Sequence, residues 1–205
     1  MSLKIAILGA GNVGGALGRI WSGKGHQVVF GLPDPNSSKA KGIGKATTNA
    51  EAASTSDIIA VCVPWPAAQN AIQDCGSLQG KILIDCLNPL KKDLSGLEIG
   101  CDTSAAEKVA GWAPGAKVVK AFNTIGAVNF GNTQFGSVRA DGFYCGDDAD
   151  AKNTVKGLIE DAGFDPVDVG PLKSARLLEP LAMLWIDLAV NQKQGPSHAF
   201  KLLRR

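Results

Sequence analysis

The chain has 205 residues, 45% of them hydrophobic and 20% charged, with a formal net charge of +2 at neutral pH. That length allows one large α/β domain, or a domain with a small appendage, and the charge is too small to argue for nucleic acid as a partner. No apolar run reaches the roughly 20 residues of a membrane-spanning helix, and no export cleavage pattern follows the short apolar run after Lys4, so a cytoplasmic location without a membrane partner is expected.

Taken in chain order, β-rich apolar runs alternate with helical patterns. Residues 3–8, 27–31, 58–63, 81–87 and 117–122 predict buried strands. Between the first two, Val13, Leu17, Ile20 and Trp21 recur at helical spacing. A short strand is expected over 45–48 and a short helix over 66–75. Ser104 and Glu107 form a capping-box pattern that opens a helix running to Trp112. Beyond Asn123 the rhythm loosens, and residues 125–138 read as irregular loop or short helix. A further unit follows: a strand at 142–145, a helix over 149–162 closed by Gly163, and a strand at 165–169. Residues 174–192 predict a last helix, apolar on most sides, to be buried on the sheet, over a ligand or, by preference, in a homodimer interface. At its start Arg176 and Glu179 can pair at i, i+3; the alternative is that Arg176 meets an anionic acceptor.

The chemistry starts at KIAILGAGNVGGALG. Gly9, Gly11 and Gly14 form G-x-G-x-x-G directly after a strand and at the opening of a helix. Such glycines serve a tight turn, close approach of the backbone to a pyrophosphate, and close packing of helix on strand. The helix start adds N–H groups and the positive end of its dipole. With the strand–helix alternation this predicts an α/β fold of Rossmann type, a doubly wound, mostly parallel sheet with a short C-terminal helical appendage. Residues 1–172 would be the nucleotide-binding domain, and residues 173–205 a helical segment packing on the sheet or on a dimer partner.

The choice of coenzyme falls on VVFGLPDPNSSK. Asp34 lies about 20 residues past the third glycine, where an acidic residue reads the ribose of NAD. Yet Asp34-Pro35 is also a helix start, Asp as cap and Pro as first residue. Ser37, Ser38 and Lys39 would then sit in the first turn and could seat a 2′-phosphate, next to Leu32 at the strand end. These residues alone leave NAD and NADP open.

Cys62, Cys75, Cys86, Cys101 and Cys145 are odd in number and form no C-x-x-C. Cys62, Cys86 and Cys145 lie in apolar strand-like runs and read as reduced core residues. His26 and His198 have no Cys or carboxylate at ligand spacing, so no metal site is expected.

Four further stretches, VCVPWPAA, VVKAFNTIGA, CGDDADAK and VGPLKSARLLEPLAMLWI, follow the glycine motif in this order. Together they resemble the NADPH-dependent oxidoreductases of the deazaflavin (coenzyme F420) type, and the related cytosolic oxidoreductase domain of the six-transmembrane metalloreductases. The resemblance covers nearly the whole chain. It implies NADP(H) bound across the carboxyl ends of the strands, with coenzyme F420 as a co-substrate. By match of motif, Gly9, Ala10, Gly11, Asn12 and Val13 would hold the pyrophosphate. Val63 and Pro64 would line the path toward the nicotinamide, and Ala121, Phe122 and Asn123 would flank it. The family's arginine after the second strand is replaced here by Pro33, which removes a bidentate phosphate contact. NADP(H) is still favoured over NAD(H), with Ser37, Ser38 and Lys39 as substitutes.

No nucleophile–base pair or carboxylate dyad stands out, and no catalytic side chain is assigned. Hydride transfer between cofactor rings needs stacking and exclusion of water, which backbone and apolar walls provide. Trp65 is either a wall of the ring site or a packing residue in a rigid loop, and Asn88 lies at the same strand edge. The expected function is an NADP(H)-dependent oxidoreductase acting on a small-molecule redox acceptor of deazaflavin type. Alternatives are an NAD(P)H-dependent reductase of flavin, ferric chelate or another small acceptor, and a non-catalytic NAD(P)-sensing protein. Pyrroline-carboxylate reductases and β-hydroxyacid dehydrogenases share such an N-terminal half but add a large helical domain, for which the stretch after Gly170 is too short.

Overall fold

A computed structural model describes residues 2–36 and 44–205. The first apolar run forms β1 (Lys4–Leu8), buried from Ile5 onward. Gly9 then adopts φ +95° and turns the chain into α1 (Asn12–Gly23). β2 (Gln27–Gly31), β3 (Lys45–Thr47) and α2 (Asn49–Ser54) follow. Next come β4 (Ile58–Val61), α3 (Trp65–Gln73), β5 (Ile82–Asp85), α4 (Ala105–Trp112) and β6 (Lys117–Ala121). The loosened stretch after Asn123 becomes a 3₁₀ turn, Ala127–Asn129, and a two-stranded hairpin of β7 (Gln134–Phe135) and β8 (Val138–Arg139). β9 (Asp141–Gly146), α5 (Ala149–Asp161), β10 (Asp165–Asp168) and α6 (Ala175–Ile186) complete the order.

The eight-stranded sheet runs β10-β9-β6-β5-β4-β1-β2-β3. From β3 to β6 all pairs are parallel. β9 joins β6 antiparallel and β10 joins β9 parallel. The order 3-2-1-4-5-6 reverses between β1 and β4, which makes this a Rossmann fold with an added two-strand extension. On one face Ile5, Ile7 and Phe30 pack against Leu17 and Trp21 of α1 and Val155 and Ile159 of α5. On the other Ala6, Leu8 and Ile59 pack against Ala52, Ile72 and Val109 of α2, α3 and α4. Trp21 is fully buried, and its Nε1 donates to the Leu158 carbonyl at 3.1 Å, tying α1 to α5.

The last helix departs from the single helix expected over 174–192. A 3₁₀ turn, Leu172–Ser174, leads into α6, and a π-helical turn, Asp187–Asn191, ends it. Leu178, Ala182 and Trp185 are buried, whereas Leu177 and Leu184 are exposed. The C-terminal strap returns to the sheet extension, where Lys201 Nζ lies 2.7 Å from both Asp141 and Asp165.

The expected Arg176–Glu179 pair does not form. Glu179 lies on the same side of α6 as Ala175, Leu178 and Ala182, and that side is turned inward. It meets Lys120 of β6 at 3.0 Å, and its carboxylate accepts the N–H groups of Ala105 and Ala106 at 2.9 and 3.2 Å. Arg176 faces outward and pairs with Glu107 at 2.6 and 2.9 Å. The capping box is thereby shared out. Ser104 Oγ accepts the Glu107 N–H at 3.2 Å, while Glu179, from another helix, takes the first two donors of α4.

Lys120 is fully buried, as is Asp85, whose Oδ2 lies 2.8 Å from Nζ. Burial alone would lower the Lys120 pKa, but Asp85 and Glu179 outweigh it and hold the ammonium charged, above its ordinary value. Burial pushes the Glu179 carboxyl up, opposed by Lys120 and the α4 N–H groups. Removing the cation strands two acids, at a cost of about 3–5 kcal/mol. Urea unfolding of Lys120→Met should show a loss of that size. Arg176→Ala, at a solvent-screened pair, should shift the urea midpoint far less than Lys120→Met.

Candidate functional site

The reversal of strand order opens a crevice at the carboxyl ends of β1 and β4, and α1 begins there. Gly11 is the N-cap of α1, no side chain caps the helix, and no acidic residue occupies its first turn. Its first N–H groups and positive dipole end are therefore left to an anion. The three glycines have separate reasons. Gly9 needs its left-handed φ. A Cβ on Gly14 would lie 2.1 Å from the Gly9 carbonyl oxygen. Gly11 has an ordinary φ of −76°, and a Cβ there would meet nothing within 4 Å. Nothing in the fold demands glycine at that position, whereas a pyrophosphate drawn close to the backbone does.

Beside this turn lies a cleft of about 640 Å³, within the range of small-molecule sites. Val13, Val63, Pro64, Trp65, Leu87 and Asn88 line it, so the ends of α1, β4 and β5 converge as the sequence implied. Trp65 stacks on Trp112, with ring centroids 5.2 Å apart, and also lines the cleft. A larger cleft, about 710 Å³, sits at the opposite end, between Lys4, Gln27, Lys45 and Ser54. It meets the carboxyl end of α2, whose dipole disfavours anions, and holds none of the candidate residues.

At the rim, Asn88 and Asn123 clasp β5 to β6. Asn88 Nδ2 donates to the Asn123 carbonyl at 2.9 Å, and Asn123 Nδ2 donates to Asn88 Oδ1 at 3.0 Å and to the Leu178 carbonyl at 3.1 Å. Those two acceptors fix the Asn123 amide and leave its buried Oδ1 without a partner. Asn88 lines the cleft, and Asn123, bonded to it, keeps an open buried acceptor.

Two predicted residues present backbone rather than side chain to this edge. Leu32 is buried in the core, with its N–H on the Thr47 carbonyl at 2.9 Å. Phe122 takes φ +65°, rare for a bulky residue, and its ring lies edge-on to Trp21 at 5.7 Å, away from the cleft. Asp34 Oδ1 accepts the Asn36 N–H at 3.0 Å and closes a local turn. Ser37, Ser38 and Lys39 lie outside the described residues. Sequence reasoning missed the hairpin after Asn88, where Leu90, Lys91, Lys92 and Leu94 form one wall. It reads as a polar loop, and only the Leu90–Leu97 bridge folds it over the cleft.

An uncapped α1, an open Gly11 and a cleft at the strand reversal have the form that dinucleotide sites take in Rossmann folds. The family model for NADP oxidoreductases, coenzyme F420-dependent, matches residues 4–89. Metalloreductase STEAP3 of Rattus norvegicus is 34% identical over 191 residues, which cover 88% of this chain and 37% of that protein. The chain thus spans little more than a third of this curated relative. A candidate F420-dependent NADP reductase from Arthrobacter sp. FB24 matches with a TM-score of 0.89 and 28% identity, over 99% of this chain and all of that one. A hypothetical protein from Sinorhizobium meliloti matches with a TM-score of 0.77 and 28% identity, over 100% of this chain and 97% of that one. Residues 4–89 thus match the model of an NADP oxidoreductase family, and the likeness to the Arthrobacter structure runs the length of the chain.

Gly11→Val should cost no more than about 1 kcal/mol of stability, the loss of a good N-cap residue, because its side chain enters open space. It should weaken NADPH binding by about tenfold or more, since the same space receives the phosphates. Thermal melting and NADPH fluorescence titration separate the two effects. Gly14→Val should fail in both.

Proposed function

We propose that the chain transfers a hydride between NADP(H) and a small-molecule acceptor of deazaflavin type. The observation that carries this reading is the glycine at position 11, which the fold does not need and a bound pyrophosphate does. When bound, the coenzyme supplies the hydride at its nicotinamide ring. The backbone of residues 9–14 and the start of α1 would hold the pyrophosphate. Ser37, Ser38 and Lys39 would seat the 2′-phosphate in place of the missing arginine. Asn123 Oδ1 offers an acceptor to the nicotinamide carboxamide, and Asn88 keeps that amide turned. Val63, Pro64 and Trp65 give an apolar wall that would exclude water beside the ring, and Ala121 and Phe122 would contribute backbone at the end of β6.

The hydride would pass from carbon to carbon, and the proton that the reduced deazaflavin also takes up at a ring nitrogen would come from solvent, so the cleft needs no nucleophile–base pair. The cleft's apolar lining and its two lysines, Lys91 and Lys92, suit a flat ring with an anionic tail. The similarity to a metalloreductase supports a second reading, in which a ferric chelate or free flavin takes the electrons. We further propose a homodimer through the outer face of α6, where Leu177 and Leu184 are exposed, and a cytoplasmic setting. Among the described residues, no helix is long and apolar enough to cross a membrane.

Mixing the protein with NADPH and oxidised deazaflavin coenzyme should bleach the deazaflavin's visible absorbance, with NADH far slower. Bleaching of FMN or a ferric chelate in its place would favour the second reading, and tight NADPH binding without turnover on any acceptor would favour a sensor. The triple variant S37A/S38A/K39A should lose about tenfold or more in NADPH affinity and none for NADH, as loss of charge-assisted hydrogen bonds requires.

A further inference from the structure

Two cysteines meet in the floor of the cleft. β4 and β5 run parallel and in register from Ile58↔Ile82 to Val61↔Asp85. Cys62 and Cys86 follow directly, one step further along the same register. Register partners on parallel strands carry their side chains on the same face, and neighbouring strands lie about 4.8 Å apart. That spacing falls inside the Cα separation of about 4.4–6.8 Å that a disulfide accepts. Both cysteines are free, and both line the cleft. Cys62 is half-buried and reachable from the cleft, whereas Cys86 is buried behind it. The adjoining Cys62 thiol, together with burial, pushes the Cys86 thiol well above its ordinary pKa. The remaining cysteines lack this arrangement. Burial pushes Cys75 and Cys145 up to about 12, and Cys101 is exposed on a separate loop.

We infer that Cys62 and Cys86 form a peroxide-oxidisable dithiol in the floor of the coenzyme cleft. The Cys62 thiolate attacks one oxygen of a peroxide, the O–O bond breaks, and a sulfenic acid remains on Cys62 as water leaves. The Cys86 sulfur then displaces the sulfenic oxygen as a second water, and the S–S bond closes. Two thiols and one hydrogen peroxide thus give one disulfide and two waters, with the sulfurs oxidised and the peroxide reduced. A dithiol reductant reverses it.

The bridge acts on the coenzyme site through packing, a step that rests on the reading of this cleft as that site. The glycine turn sits on Cys62 without slack. A Cβ on Gly9 would lie 2.9 Å from the Cys62 carbonyl oxygen, and one on Gly14 would lie 3.2 Å from Cys62 Cβ. Drawing Cys62 toward Cys86 withdraws the support of the turn and of the start of α1. Bound coenzyme must oppose the bridge by the same factor by which the bridge opposes coenzyme.

The test uses the full chain, reduced and then exposed to hydrogen peroxide. Peptide mass mapping should find loss of two hydrogens in a Cys62–Cys86 cross-linked pair, equally in Cys101→Ser. Cys86→Ala should halt at a sulfenic acid on Cys62, trapped by dimedone. The bridged protein should bind NADPH about tenfold more weakly than the reduced one, with recovery on dithiothreitol, and in a dithiothreitol redox buffer saturating NADPH should shift the dithiol–disulfide equilibrium toward the dithiol by a like factor. A bridge to Cys101, or oxidation of Cys62 beyond sulfenic acid with Cys86 intact, would overturn the dithiol. A bridge that leaves NADPH affinity unchanged would overturn the coupling. Weak NADPH binding by the reduced protein would count against the coenzyme reading alone, because the bridge is read by mass.

Discussion

The ammonium of Lys120 is the group on which the carboxyl end of the sheet depends. It has three donors, and three acceptors surround it: Asp85 Oδ2 at 2.8 Å, the Leu87 carbonyl at 2.8 Å and Glu179 Oε1 at 3.0 Å. The first two belong to β5 and the turn after it, and the third to α6. One charge therefore fixes the wall that leads to Asn88, the seat of the C-terminal helix and, through Glu179, the start of α4. The cluster holds one cation and two acids, and the positive end of α4 offsets the excess negative charge. Such a cluster tolerates little rearrangement, because each member is satisfied only by the others.

Rigidity behind the cleft meets strain in front of it. Phe122 holds φ +65°, a conformation that costs about 1–3 kcal/mol for a bulky residue. Its ring recovers that cost in the core, against Trp21 and at 6.1 Å from Phe130. The consequence is local. The backbone bends just after β6, and Asn123 turns to the rim, where its amide reaches both Asn88 and Leu178. Core packing on one side of the sheet thus sets the direction of a polar group at its edge.

The parts of the molecule legible in the sequence were those with a period or a punctuation mark. Alternating apolar runs placed the strands to within a residue or two, and the glycine spacing placed the turn between β1 and α1. Asp34 accepts the Asn36 N–H, and the helix it was expected to cap lies outside the described residues. The misread parts depend on contacts between segments far apart in the chain. Arg176 and Glu179 are near neighbours in sequence, yet their partners, Glu107 and Lys120, come from elements the helix meets only after folding. Phe122 gives no sequence signal of its left-handed backbone. Cys62 and Cys86 read as core residues one by one, and only the register of β4 on β5 makes them a pair.

Preorganisation and vulnerability at the glycine turn come from the same contact. The turn can present its N–H groups in a fixed array only because Gly9 and Gly14 rest directly on Cys62. A looser seat would tolerate movement of Cys62 but would leave the phosphate site to be ordered by the ligand, at an entropic cost to binding. Gly11, with open space above it, takes no part in that seat. The two glycine roles therefore divide cleanly. Gly9 and Gly14 transmit the position of the strand beneath, and Gly11 leaves room for what binds above.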